Sequence, residues 1–105
     1  MYSIPKKQAP LKTQVYKNPK YLSWLHNQGF TCLICSNTNI EIHHLESGAK
    51  GRPDNNCIVL CSAHHRTNKV SAHGPDAKEF KAQYQDMMEE EANTLFTAFE
   101  SEVFA

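Results

Sequence analysis

Cys32-Leu33-Ile34-Cys35, Ile42-His43-His44 and Asn56-Cys57-Ile58-Val59-Leu60-Cys61-Ser62-Ala63-His64-His65, with His73 just beyond, hold all four cysteines and five of the six histidines of this chain. A closed tetrahedral metal site uses about four ligands, and this stretch offers about twice as many. The surplus suggests two sites, one holding the fold and one doing chemistry.

Outward from that stretch, the size of the chain supports a metal. At 105 residues this is one small domain, which buries a modest share of its surface and often needs a staple. Zinc would be that staple. A disulfide framework is the competing reading of four cysteines, but the start Met1-Tyr-Ser-Ile-Pro-Lys-Lys7 lacks the apolar core of a signal peptide, so a reducing cytoplasm is expected. No run of about eighteen apolar residues is present, so no membrane span is expected.

The formal net charge is zero, but the charge is uneven. Residues 1–20 carry five lysines, among them Lys6, Lys7, Lys12 and Lys17, and no acid, so they are +5. Residues 21–75 are +1, and residues 76–105, with two lysines and eight acids, are −6. A basic arm and a near-neutral metal core suit a polyanion; the acidic end does not. A merely solvated, Pro-broken arm is the plainer reading of the same lysines.

Prolines 5 and 10 and the absence of periodicity make residues 1–17 an extended arm. Asn18 is a good N-cap, Pro19 fits the first helical position and Gly29 suits a left-handed C-terminal cap, which predicts a helix of about ten residues. Its Tyr21, Leu22, Trp24 and Leu25 would pack on the metal core, with His26 left in solvent near its end. Residues 40–45 show brief alternation and the β-branched Ile40 and Ile42, so they read as a strand, and Cys57-Ile58-Val59-Leu60 reads as a second strand pairing antiparallel with it. The segment between them is a loop, and a helix is expected from Cys61 to just before Ser71. From Asp76 onward, apolar residues recur every three or four positions, predicting an amphipathic helix with a break near Asn93-Thr94. Residues 85–105 are expected as a distinct acidic C-terminal helix, packing on the domain or, alternatively, on a partner.

Cys32, Cys35, Cys61 and His64 have the arrangement of a treble-clef zinc site: one pair on a knuckle, the second at the start of a helix after a hairpin. A competing set takes Cys57 in place of His64; the Cys-x-x-His spacing favours the first. His43, His44, Asn56, His65 and His73 are then left over. Adjacent strand positions point to opposite faces, so His43 and His44 suit two different tasks, one on a metal and one on water.

The doublet ending one strand, an asparagine at the hairpin and a histidine on the following helix resemble the HNH endonucleases, the ββα-metal family. The resemblance covers residues 18 to about 84 and implies an α+β fold: a small treble-clef ββα-metal domain with a structural zinc, flanked by an N-terminal helix and a C-terminal amphipathic helix. It implies that His44 is the general base, that Asn56, opening a run similar to the family's Asn-Leu-x-x-Leu-Cys, braces it, and that His43 and His65 bind a catalytic divalent metal: magnesium, manganese, zinc or nickel. Many such motifs place a further ligand where this chain has Lys69, and His73 could take its place. Pro19-Lys20-Tyr21-Leu22-x-Trp24 and Val70-x-x-His73-Gly74 followed by Phe80 look like phage-encoded recombination-enhancement nucleases that depend on RecA. That likeness implies DNA as substrate, RecA filaments as a partner and the cytoplasm of a bacterial host as location.

The chemistry implied is phosphodiester hydrolysis, with Lys50, Arg52, Arg66 and Lys69 as candidate phosphate contacts. Two rival readings are a non-catalytic treble-clef zinc module that binds nucleic acid or protein, and an adaptor dimerising through its acidic helix. The doublet with Asn56 separates the nuclease from a pure binding finger, which has no use for histidines beyond its four ligands.

Overall fold

The computed structural model of the chain describes residues 15–46 and 48–104. The arm expected over residues 1–17 therefore lies, for residues 1–14, outside the described residues. What is described is a small α+β arrangement: α1 (Pro19–Asn27), β1 (Glu41–His44), a short 3₁₀ turn (Gly48–Lys50), β2 (Cys57–Leu60), a π-helical turn (Ala63–Thr67) and α2 (Ala77–Phe104).

The first helix is bracketed as its local chemistry dictates. Asn18 Oδ1 accepts from the Tyr21 N–H at 3.1 Å, Pro19 fills the first helical position, and Gly29 follows with φ +78°, where a side chain would be strained. His26 is exposed. The two strands form an antiparallel ladder in which His43 faces Ile58 and His44 faces Cys57. All four residues of β2 are buried, which explains why it reads as a continuous apolar run rather than an alternating one. Its faces serve two apolar clusters: Ile58 and Leu60 pack with Cys32, Cys61, Phe80 and Met88, whereas Cys57 and Val59 pack with Tyr21, Leu25, Leu95 and Phe99.

Helix α2 is the common wall of both clusters. Phe80, Met88 and Ala92 seal one, Leu95 and Phe99 the other, at the three- and four-residue spacing of one helical face. The break expected near Asn93-Thr94 does not occur, because Ala92 and Leu95 on either side of it are both buried and hold the helix through that point. No helix among the described residues is long and apolar enough to cross a membrane.

The helix expected from Cys61 to Ser71 is cut to the five-residue turn Ala63–Thr67. The Asn68 N–H reaches back five residues to the Ala63 carbonyl at 2.9 Å, which widens the turn. The chain then doubles back: the Ala72 N–H donates to His64 O at 3.0 Å and the His73 N–H to His65 O at 2.9 Å. That return is what brings His73 beside His65.

Candidate metal centres and active site

The first cluster is held by the two core-facing turns. Atoms of Cys32, Cys35, Cys61 and His64 that could bind a metal all lie within 4.8 Å of one another. Cys35 Sγ is 3.6 Å from Cys61 Sγ, and His64 Nδ1 lies 3.3 Å from Cys61 Sγ and 3.8 Å from Cys32 Sγ. A tetrahedron with metal–sulfur bonds of about 2.3 Å has sulfur–sulfur edges of about 3.8 Å, so these separations suit four ligands around one ion. They are too long for disulfides, whose sulfurs are about 2.05 Å apart, and all four cysteines are free. The cluster contains His64 and not Cys57. The Cys57 thiol is fully buried in the other apolar cluster, and burial pushes its pKa up to about 12.

The second cluster is His43, His65 and His73, whose candidate ligand atoms also lie within 4.8 Å of one another. The three rings form a triangle with centroids 4.9, 5.0 and 5.2 Å apart. His43 is 7% exposed, and its Nδ1 is buried without a hydrogen-bond partner, an orphaned lone pair or proton that a bound cation would account for. Burial, reinforced by the charges His65 and His73 would carry, holds its pKa down to about 3, so it is neutral as a metal ligand must be. The His73 pKa is likewise lowered, by burial first and then by His65, Arg52 and Lys81.

His65 is fixed from behind. Glu41, two residues before His43 and so on the same face of β1, accepts from His65 Nδ1 at 2.8 Å. The same carboxylate takes Arg66 in a two-pronged pair, from Nε at 3.0 Å and a terminal nitrogen at 2.7 Å. Arg66 first and then His65 hold the Glu41 pKa at about 2. An ionised carboxylate can only accept, so the His65 proton sits on Nδ1 and Nε2 keeps the lone pair it can offer a cation.

The doublet diverges as adjacent strand residues must. While His43 turns to the other two imidazoles, His44 Nε2 lies 2.9 Å from Oδ1 of Asp54, which is 4% exposed. Burial would raise the Asp54 pKa, but the Asn18 N–H at 2.7 Å, His44 and Lys17 outweigh it and hold it low. An Asp54 carboxylate held low in pKa acts as an acceptor, which favours the His44 tautomer with its hydrogen on Nε2 and Nδ1 turned away from Asp54. Asp54, and not the Asn56 expected there, is the side chain that bonds His44; the Asn56 amide instead donates to Glu46 at 3.1 Å.

His43, His44, His65 and His73 line one recess of about 460 Å³, together with Arg52 and Lys81. Lys50 and Asn56 line a neighbouring one with Glu46 and Glu89. Of the four cations singled out in the sequence, only Arg52 faces the histidines. Arg66 is taken by Glu41, and the Lys69 ammonium lies 3.5 Å from Asp76. Three contributors were not visible as such: Asp54, Glu41 and Lys81. Each had a signal, since Glu41 shares a strand face with His43, Asp54 stands two residues before Asn56, and Lys81 follows the buried Phe80.

No family model matches this chain, and no curated protein or solved structure is similar to it. Its class therefore rests on the arrangement itself.

Proposed function

We propose that the chain is a metal-dependent endonuclease of the HNH type, a treble-clef ββα-metal domain that hydrolyses DNA phosphodiester bonds. One observation carries this reading: a histidine tied through Nε2 to an ionised buried carboxylate shares a cation-lined recess with three convergent imidazoles, apart from the Cys₃His cluster. The Cys₃His set would hold zinc, whose preference for thiolate and imidazole in a closed tetrahedron it matches. His43, His65 and His73 would hold a divalent ion, which when bound supplies charge neutralisation at the phosphate and the leaving oxygen.

His44 does the proton work. Nδ1 accepts a proton from water as the water oxygen attacks phosphorus and the bond to the 3′ oxygen breaks, and Asp54 stabilises the imidazolium that forms. The 3′ oxygen leaves as an alkoxide that is protonated from solvent. Arg52 and Lys81 offset charge gathering on the phosphate, and both are long enough to contact its non-bridging oxygens. Charge contacts of this kind read no bases, which fits low sequence specificity.

The test is conversion of supercoiled plasmid to nicked or linear DNA, and cleavage of single strands, with magnesium or manganese. Wild type and His44→Ala are compared, each with and without RecA filaments, because the narrower resemblance points to such filaments and a bacterial cytoplasm. Cleavage by wild type and its loss in His44→Ala, with the Cys₃His metal retained, is expected. Binding of DNA without cleavage under every condition would refute the catalytic reading in favour of a zinc-stabilised binding module.

A further inference from the structure

Lys17 closes the basic arm, and in a charge count it is one more lysine for a polyanion. Its ammonium is nevertheless engaged. Nζ donates to the Gly51 carbonyl at 2.8 Å and to the Arg52 carbonyl at 2.9 Å, and lies 4.0 Å from Asp54 Oδ1. The two carbonyls belong to successive left-handed residues, Gly51 at φ +82° and Arg52 at φ +50°. Glycine adopts that region freely; arginine avoids it unless its surroundings hold it there.

The neighbours of Lys17 grip the same turn. Asp54 N–H donates to Tyr16 O at 2.9 Å, and Asn18 N–H donates to Asp54 Oδ2 at 2.7 Å. A Cβ on Gly51 would come within 2.6 Å of Val15 Cγ2, so only glycine lets the two segments approach this closely. Residues 15–18 and 51–54 thus form one unit, which carries the Arg52 guanidinium, packed over Gly48 at the recess, and the Asp54 carboxylate, which lies outside the recess lining and bonds His44.

We propose that Lys17 is a positioning residue of the active site: its ammonium clamps the 51–54 turn so that Arg52 and Asp54 are held at the histidines. The kinetic consequence rests on the nuclease reading above, whereas the structural consequence does not. Without the ammonium, two converging carbonyls lose their shared donor, Arg52 is released from its left-handed conformation, and Asp54 loses its register against His44.

The experiment compares Lys17→Met with Lys17→Arg and with Lys12→Met on the full chain, by plasmid-cleavage kinetics and by the nitrogen-15 NMR signals of the His44 ring. Lys17→Met should lower kcat about tenfold to a hundredfold with little change in KM, the scale of loss from a small misplacement of a reacting group. It should also shift or broaden the His44 Nε2–H signal, and Lys17→Arg should restore part of both. Lys12→Met should instead raise KM and flatten the salt dependence, as loss of a phosphate contact does. The proposal is overturned if Lys17→Met behaves like Lys12→Met, or if it lowers only thermal stability while the His44 signal and kcat stay as in wild type. Should Lys17→Met fail to fold, Lys17→Gln, which keeps N–H donors but loses the charge and part of the reach, decides by the same two readings. If wild type does not cleave at all yet Lys17→Met still disturbs the His44 signal, the clamp stands and the nuclease reading falls.

Discussion

Replacing Asp54 with asparagine keeps the shape of the side chain and changes what it can offer. The carboxylate accepts two hydrogen bonds, Asn18 N–H on one oxygen and His44 Nε2 on the other. An amide has one oxygen. If that oxygen stays with Asn18 N–H, which bonds no other acceptor among the described residues, the amide NH₂ faces His44, and the ring must answer with an unprotonated Nε2. Its proton then moves to Nδ1, the atom needed to accept one from water. A charge-assisted hydrogen bond of about 1.5–3 kcal/mol becomes a neutral one of about 1 kcal/mol, so stability should fall by roughly 0.5–2 kcal/mol, or roughly 2–15 °C in Tm for a domain this small. Activity should fall much further, by about 10²–10⁴ in kcat, the range set by losing a correctly protonated base. KM should hardly move, because Asp54 is buried behind His44. The pH dependence has a definite sign. Asp54 is held below its ordinary pKa, so its stabilisation is present above about pH 4 and is lost as pH falls through the folded value; the Tm gap between wild type and variant should shrink on acidification. Steady-state cleavage kinetics, thermal melts from pH 7 downward and the ring-nitrogen NMR spectrum measure all three. Full kcat in the variant, or a His44 ring still protonated at Nε2, would refute the assignment of Asp54 as the brace.

Other perturbations separate the two clusters. Cys61→Ser, or exhaustive chelation, should unfold the domain, because structural zinc contributes about 10–16 kcal/mol in small zinc domains and a whole domain is stable by only about 5–15 kcal/mol; far-ultraviolet circular dichroism alongside metal content reads this, and a folded metal-free protein would disprove it. Cys57→Ser should keep one tightly bound metal in the Cys₃His cluster at a stability cost of about 1–3 kcal/mol, because the Pro53 carbonyl, 4.0 Å from the thiol sulfur, is too far to satisfy a hydroxyl well, and in wild type Cys57 should resist alkylation at pH 8 until the fold is opened. Glu41→Gln should weaken manganese or nickel binding at the histidine cluster about 10–100-fold while leaving the Cys₃His metal in place, measured by titration calorimetry. Unchanged affinity there would mean that Glu41 serves Arg66 rather than His65.

Legibility in the sequence followed the range of the interaction. Helix α1 was readable at both ends because Asn18, Pro19 and Gly29 act within a few residues of themselves. Both strands were readable from apolar pattern, and the Cys₃His set from spacing, since a knuckle is a local shape. The turn after Cys61 was misjudged because its length is decided by tertiary convergence: His64 must reach Cys32 and Cys35 while His65 reaches His43, and a wide turn followed by a return of the chain satisfies both. The break expected at Asn93-Thr94 follows weak local propensity, which burial of Ala92 and Leu95 overrides. Asp54 and Asn56 could not be told apart by position, because which side chain of a tight turn looks back at the strand depends on φ values no spacing records.

The roles proposed for the doublet rest on surroundings more than on order. His43 is buried, its Nδ1 has no hydrogen-bond partner among the described residues, and it faces two further imidazoles, so burial and its neighbours disfavour a proton there. That suits a metal ligand, which must stay neutral, and disqualifies a base, which must become charged during the reaction. His44 has the opposite setting: a half-buried ring whose Nε2 lies 2.9 Å from the Asp54 carboxylate. The two carboxylates also grip opposite nitrogens. Asp54 holds His44 by Nε2 and frees Nδ1, whereas Glu41 holds His65 by Nδ1 and frees Nε2. On the proposed reading, moving a carboxylate to His43, or removing the one at His44, would therefore exchange or erase the roles without altering a single histidine.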